Sequence, residues 1–164
     1  RGTAKRVAKM YIKEVFKGRY QPAPEITTFP NAKGLDSMYV LGPIRFKSAC
    51  SHHLALTEGK VWVGVIPGST VIGISKIARI VDWIARRPQI QEEAVIQLVT
   101  TLQEKLQTED IAVIVDARHT CMTWRGVEED ESTMTDNHMG GRFMTEPELR
   151  NELFHTIALK KQNK

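Results

Sequence analysis

The chain changes its hydrophobic period in mid-sequence and then changes back, and this pattern limits its fold more than any other feature. Lys60-Val-Trp-Val-Gly-Val-Ile-Pro67 alternates with period two and stops at Pro67-Gly68, which predicts a strand and a turn. Two helical segments follow. Ser75, after Gly73-Ile74, is the expected N-cap of a helix reaching Arg86 or Arg87, where Pro88 breaks the pattern. From Gln91 to Gln107, Ala94, Val95, Leu98, Leu102 and Leu106 share one stripe. Strand character returns at Ile111–Asp116 and is expected again at Cys121–Arg125, near Gly126, and at Ser132–His138. Upstream, Met38–Leu41 and Ile44–Lys47 read as one strand with a bulge at Gly42-Pro43. The central order is strand, strand, helix, helix, strand, strand. That order predicts an α+β layer, with helices on one face of an antiparallel sheet built from two hairpins.

The flanks are simpler. Val7, Met10, Tyr11, Val15 and Phe16 recur at helical spacing and predict a helix over Thr3–Phe16, with Gly18 as its stop. Pro22, Pro24 and Pro30 make Arg19–Leu35 mostly extended loop. Glu146–Leu159 reads as helix, with Pro147 in its first turn. A length of 164 residues suits one domain. Residues 1–35 form its N-terminal helix and loop, 36–143 its core and 144–164 its C-terminal helix. A net charge of +4 without a dense basic run gives no support for nucleic acid as a partner. No apolar run approaches the ~20 residues of a membrane helix. The opening Arg-Gly-Thr-Ala-Lys-Arg carries no apolar signal segment, and two cysteines do not make a disulfide scaffold, so a cytoplasmic protein is expected.

The chemistry gathers in two segments. Ser48-Ala-Cys-Ser-His-His53 and Arg118-His-Thr-Cys121 hold both cysteines and three of the five histidines. Cys50-x-x-His53 lets one turn offer a thiolate and an imidazole to a single metal, and Cys121 closes the set if the hairpins are neighbours. Three protein ligands leave a fourth position for water on a catalytic zinc, whereas structural zinc sites are closed by four. On a strand His119 and Cys121 share a face, leaving His52 and His119 as spare imidazoles for proton transfer. Two buried thiols or a disulfide are the competing readings of Cys50 and Cys121. His138 and His155 lie outside the cluster and read as surface or interface residues. Lys76 and Arg79, three apart near a helix N-terminus, suit a phosphate or a solvated face. Gln91, Glu92 and Glu93 open the second helix, where acids ordinarily complement the dipole.

In order, Cys-x-His-His, Gly-Lys-Val, Val-Ile-Gly-Ile-Ser-Lys-Ile-Ala-Arg-Ile-Val, Arg-Arg-Pro-Gln-Ile-Gln-Glu and His-x-Cys-Met-x-x-Arg-Gly resemble the GTP cyclohydrolase I family. Lys5-Arg-Val-Ala-Lys-Met10 resembles that family's first helix, so the resemblance runs from about Thr3 to Phe143. It implies the tunnelling fold with its ββααββ unit, and a homo-oligomer, typically a decamer of two stacked pentamers with active sites between subunits. It implies zinc-dependent hydrolysis of GTP to 7,8-dihydroneopterin triphosphate and formate, feeding a tetrahydrofolate, other pterin or deazapurine route. It implies one zinc per chain on Cys50, His53 and Cys121, with its water directed at C8 of the purine. By the same resemblance His119 protonates the opening ring, His52 is a second proton-transfer residue, and Ser75 lies near the ribose. Gln91 and Glu92 would hold the guanine, and Lys76, Arg79, Arg125 and Arg6 would surround the triphosphate.

Two positions depart from the family's pattern. Ser51 stands where it usually has Glu, and Glu93 where it usually has Arg. Both change charge beside the expected site. A catalytically weak relative that binds purine nucleotides as a scaffold or regulator is the alternative these departures motivate.

Overall fold

The computed structural model describes residues 2–162; Arg1, Asn163 and Lys164, the ends of the expected single domain, lie outside the described residues. Among the described residues the main sheet has four antiparallel strands. Its strands are β2 (Tyr39–Ala49), β3 (Leu56–Val65), β5 (Ile111–His119) and β6 (Met134–Met139), in the order β2-β3-β5-β6. A short β1 (Thr28–Pro30) pairs with β4 (Thr70–Ile72) in a separate ribbon, inside the stretch expected to be loop. The register of β2 on β3 shifts between Leu41 and Ile44, so the bulge expected at Gly42-Pro43 is there.

Alternation along β3 divides two cores. Val61, Val63 and Val65 face α3 (Ile74–Ala85) and α4 (Gln91–Leu106), packing with Ile77, Ile80, Ile84, Leu98 and Leu102. Trp62, between them, faces the other way. There it meets Phe143 of α6 (Arg142–Thr145) and Leu153 and Ile157 of α7 (Pro147–Gln162), so helices cover both faces of the sheet and not one. The apolar face of α7 is narrow, with Leu153 and Ile157 buried and Leu149 partly so, which hid this second layer from the periodicity. Each large side chain closed into these cores stabilises the fold by about 1.5–3 kcal/mol.

Three local expectations are corrected. Gly18 does not end the first helix. The chain runs through α1 (Thr3–Met10), a π-helical turn at Tyr11–Val15 and α2 (Lys17–Tyr20). Gly18 is required for another reason: it donates its N–H to the Arg86 carbonyl at 3.0 Å, and an added Cβ would lie 1.9 Å from the Trp83 carbonyl oxygen. Ser75 is not the N-cap of α3; Gly73 is, and no side chain caps that end. Cys121–Arg125 is not a strand. It begins in α5 (Thr120–Thr123), a helical turn that leaves β5 directly after His119, so His119 and Cys121 do not share a strand face. Ser132–His138 supplies the returning strand instead, as β6.

Gly18→Ala should lower stability by about 1–3 kcal/mol in urea unfolding, because backbone and not a flexible side chain blocks the new methyl. Unchanged stability would contradict the close approach of α2 to α3.

Candidate functional site

The turn after β2 carries the first half of the site. Cys50 donates its N–H to the Ala55 carbonyl at 2.8 Å, and Leu54 donates its own to the Cys50 carbonyl at 2.8 Å. Leu54 turns with a positive φ of 54°. The second half comes from the far end of β5. The register sets Thr57 opposite His119, and the Thr120 hydroxyl donates to the Leu56 carbonyl at 2.7 Å. The α5 turn is thereby fixed against β3, with Cys121 carried towards Cys50. Burial and then the neighbouring Cys50 thiol push the Cys121 thiol above its usual value, and the charge of Arg125 pulls the other way.

Both cysteines are free. Two adjacent thiols and a turn bearing two imidazoles form a donor set that fits zinc. The side chains are not arranged as a finished site: among the described residues no three His, Cys, Asp or Glu side chains converge as a metal group. Of the two imidazoles on this turn, His52 contacts Cys50, with Nδ1 3.6 Å from Sγ. The two rings stand edge to face, 6.5 Å apart. His53 faces a separate cavity of about 440 Å³ with Tyr11, Trp124 and Arg125.

Beside Cys50 lies a pocket of about 180 Å³. Cys50, His52, Gln91, Glu92 and His119 line it, and so do Thr57 and Gln89, which the motif reading did not single out. His119 is held from both sides. Its Nε2 is 2.8 Å from Gln91 Oε1, and its Nδ1 is 3.4 Å from Thr57 Oγ1. The Gln91 amide donates to the carbonyls of Val115 at 3.2 Å and Met134 at 3.0 Å. Those two acceptors fix which end of the amide is nitrogen, so Oε1 faces the imidazole. It follows that Nε2 of His119 carries the proton, and Nδ1 presents its lone pair to Thr57. Gln91 is buried, and both of its polar atoms are engaged within the chain. Gln89 donates to the Ile84 carbonyl at 2.6 Å, while its buried Oε1 has no partner. No periodicity or charge signal marks such an orphan atom; only packing reveals it.

The expected phosphate cations lie elsewhere. Lys76 donates to the Glu25 carbonyl at 3.3 Å. Arg79 lines a cavity with Lys17 and Trp83, Arg125 is beside His53, and Arg6 donates to the Thr3 hydroxyl at 3.0 Å. None of these four, nor Ser75, lines the pocket that holds His119. At about 180 Å³ that pocket is also smaller than the ~300–1,000 Å³ usual for a ligand site.

Burial holds the His119 imidazole below its ordinary range, and the Glu92 charge partly opposes this. The unfolded chain therefore binds this proton more readily, and stability is lost as pH falls from about 6.5 towards the lower folded value. Glu92→Gln removes the opposing charge and should move the imidazole further down. Titration of the His119 ring resonances in metal-free protein checks this, and an upward shift would contradict it.

A family model described as GTP cyclohydrolase I matches residues 1–158. A protein of Shewanella loihica named GTP cyclohydrolase 1 is 43% identical over 151 residues, spanning 92% of this chain and 71% of its own length. Proteins of that name from Vibrio vulnificus and Photobacterium profundum are 42% and 43% identical over 156 residues, 94% of this chain and 72% of theirs.

Proposed function

The chain belongs to the GTP cyclohydrolase I family, whose GTP cyclohydrolase activity it shares, and from that premise we propose how its residues divide the reaction. The α+β architecture is that family's tunnelling fold. The family uses zinc. In our reading Cys50, Cys121 and His53 hold one ion per chain, with His53 turning in from its neighbouring cavity. Supporting this are the adjacency of the two thiols and the position of His53 on the turn that Cys50 begins. Zinc bound there supplies Lewis-acid activation of water for the hydrolysis.

The observation that carries the site assignment is the Thr57–His119–Gln91 chain of hydrogen bonds on the pocket wall. His119 is neutral by burial and fixed in one tautomer, so it takes a proton at Nδ1 and returns it as the purine ring opens. Gln91 acts on the substrate through His119, since its own polar atoms are engaged. Glu92 is exposed at the pocket edge and accepts from N1 and the 2-amino group of guanine, a pair that adenine lacks. His52, beside Cys50, is the second proton carrier.

The phosphate end requires a second subunit. Lys76, Arg79, Arg125, Arg6 and Ser75 lie off the pocket, and the pocket alone is too small for a nucleoside triphosphate. In a homo-oligomer, for which we adopt the decamer of two pentamers, a neighbouring copy brings these groups to the triphosphate and ribose. Trp124, 85% exposed beside His53 and Arg125, and Val127, 76% exposed, supply apolar surface for that contact. The domain is one unit over 1–164, working in the cytoplasm.

Zinc-loaded protein given GTP should release formate and, after oxidation, show pterin fluorescence. Tight GTP binding with neither product would favour a scaffold role. Cys121→Ala should lose zinc and turnover together; a variant that keeps both contradicts the ligand assignment. Zinc must displace thiol protons, so its affinity should weaken as pH falls from 8 to 6, a trend that direct metal titration measures.

A further inference from the structure

On the opposite face of the sheet, the β2 register shift sets Gly42 and Pro43 against one residue of β3, Trp62. The indole is 1% exposed, and its apolar body packs into the second core with Phe143 and Leu153. Its Cδ1 edge lies against Gly42, where an added Cβ would come within 2.6 Å. The adjoining Nε1–H is buried and has no hydrogen-bond partner. Buried indole N–H groups ordinarily find an acceptor, and Pro43 brings no side-chain acceptor to this bulge.

Trp62 and Pro43 wall a cavity of about 250 Å³ whose other walls are Lys60, Lys160, Lys161 and Asp116. Three ammonium groups meet one carboxylate there. Lys161 Nζ lies 4.8 Å over the indole ring and 3.4 Å from Asp116 Oδ2, a long contact for an ion pair. The Asp116 carboxylate also accepts from the Thr135 hydroxyl at 3.2 Å, so it is shared. The cavity thus carries an excess of two positive charges against one face of a buried indole. None of its walls belongs to the His119 pocket.

We propose that this cavity is a binding site for inorganic phosphate, separate from the site of GTP hydrolysis. Ammonium groups gathered around one partly shared carboxylate are the complement of an oxyanion. The surplus of two charges matches a dianion better than a monocarboxylate, and the small volume favours the free ion over a phosphorylated metabolite.

The test uses the assembled protein carrying Trp83→Phe and Trp124→Phe, so that Trp62 is the one indole emitting. Titration with inorganic phosphate, against chloride at equal ionic strength, should give a saturable change in Trp62 emission. Acetate should act far more weakly. Lys60→Ala and Lys161→Ala should each weaken phosphate by about tenfold, roughly one charge-assisted hydrogen bond. Lys76→Ala with Arg79→Ala should leave the response in place. Equilibrium dialysis of labelled phosphate on otherwise native protein, with and without Lys160→Ala, gives a reading that needs no fluorescence, and Lys160→Ala should weaken binding. A response equal to that of chloride or acetate would overturn the proposal. So would one that survives both lysine changes, or one lost with Lys76 and Arg79.

Discussion

Thr57 lies opposite His119 where β3 begins and β5 ends, and the whole site depends on that register. It places the turn beginning at Cys50 and the turn carrying Cys121 at the same end of the sheet, although they are distant in sequence. A slip of one residue would turn Val61, Val63 and Val65 out of the first core and Trp62 into it. The hydrophobic core therefore enforces the register, and the register assembles the chemistry. The Ala49–Pro88 bridge and the Gln89 N–H bond to Ala49 at 3.0 Å tie the Cys50 end of β2 to the start of α4. Gln91 and Glu92 follow at once on that helix.

The pocket keeps its imidazole neutral by a balance of two effects. Burial disfavours the charged ring more than the Glu92 charge favours it. Thr57 and Gln91 then decide where the single ring proton sits. Both are anchored by backbone: Thr57 on β3, and Gln91 through the carbonyls of Val115 and Met134. A proton carrier held in this way needs little reorganisation when charge moves. Glu92 stays exposed at the rim, where it can meet a base without being committed to the fold.

Much of this was legible in the sequence, for physical reasons. Alternation in Lys60–Pro67 and the stripe on Gln91–Leu106 marked β3 and α4, because a half-buried strand and an amphipathic helix leave distinct periods. The clustering of Cys50, His52, His53, His119 and Cys121 marked one end of the sheet. The local backbone around Cys121 was not legible. Its Cys-Met-Thr-Trp composition suits a strand, yet the α5 turn is set by tertiary anchoring of Thr120 on Leu56. The role of Gln91 was hidden for a related reason: the partners of a buried amide are spread over β5 and β6 and leave no trace in spacing. Ser75 looked like a cap because its residue type favours one, but the cap is Gly73, two residues earlier. The second core went unseen because α7 buries only Leu153 and Ile157.

The central claim is that one end of this sheet holds a zinc ion with two thiolates and one imidazole, beside the pocket that orients His119. X-ray absorption at the zinc edge of the loaded protein tests it most directly. The account predicts two sulfur neighbours at about 2.3 Å, and one imidazole nitrogen and one further light atom at about 2.0–2.1 Å. A shell with four sulfurs, or with none, would contradict it.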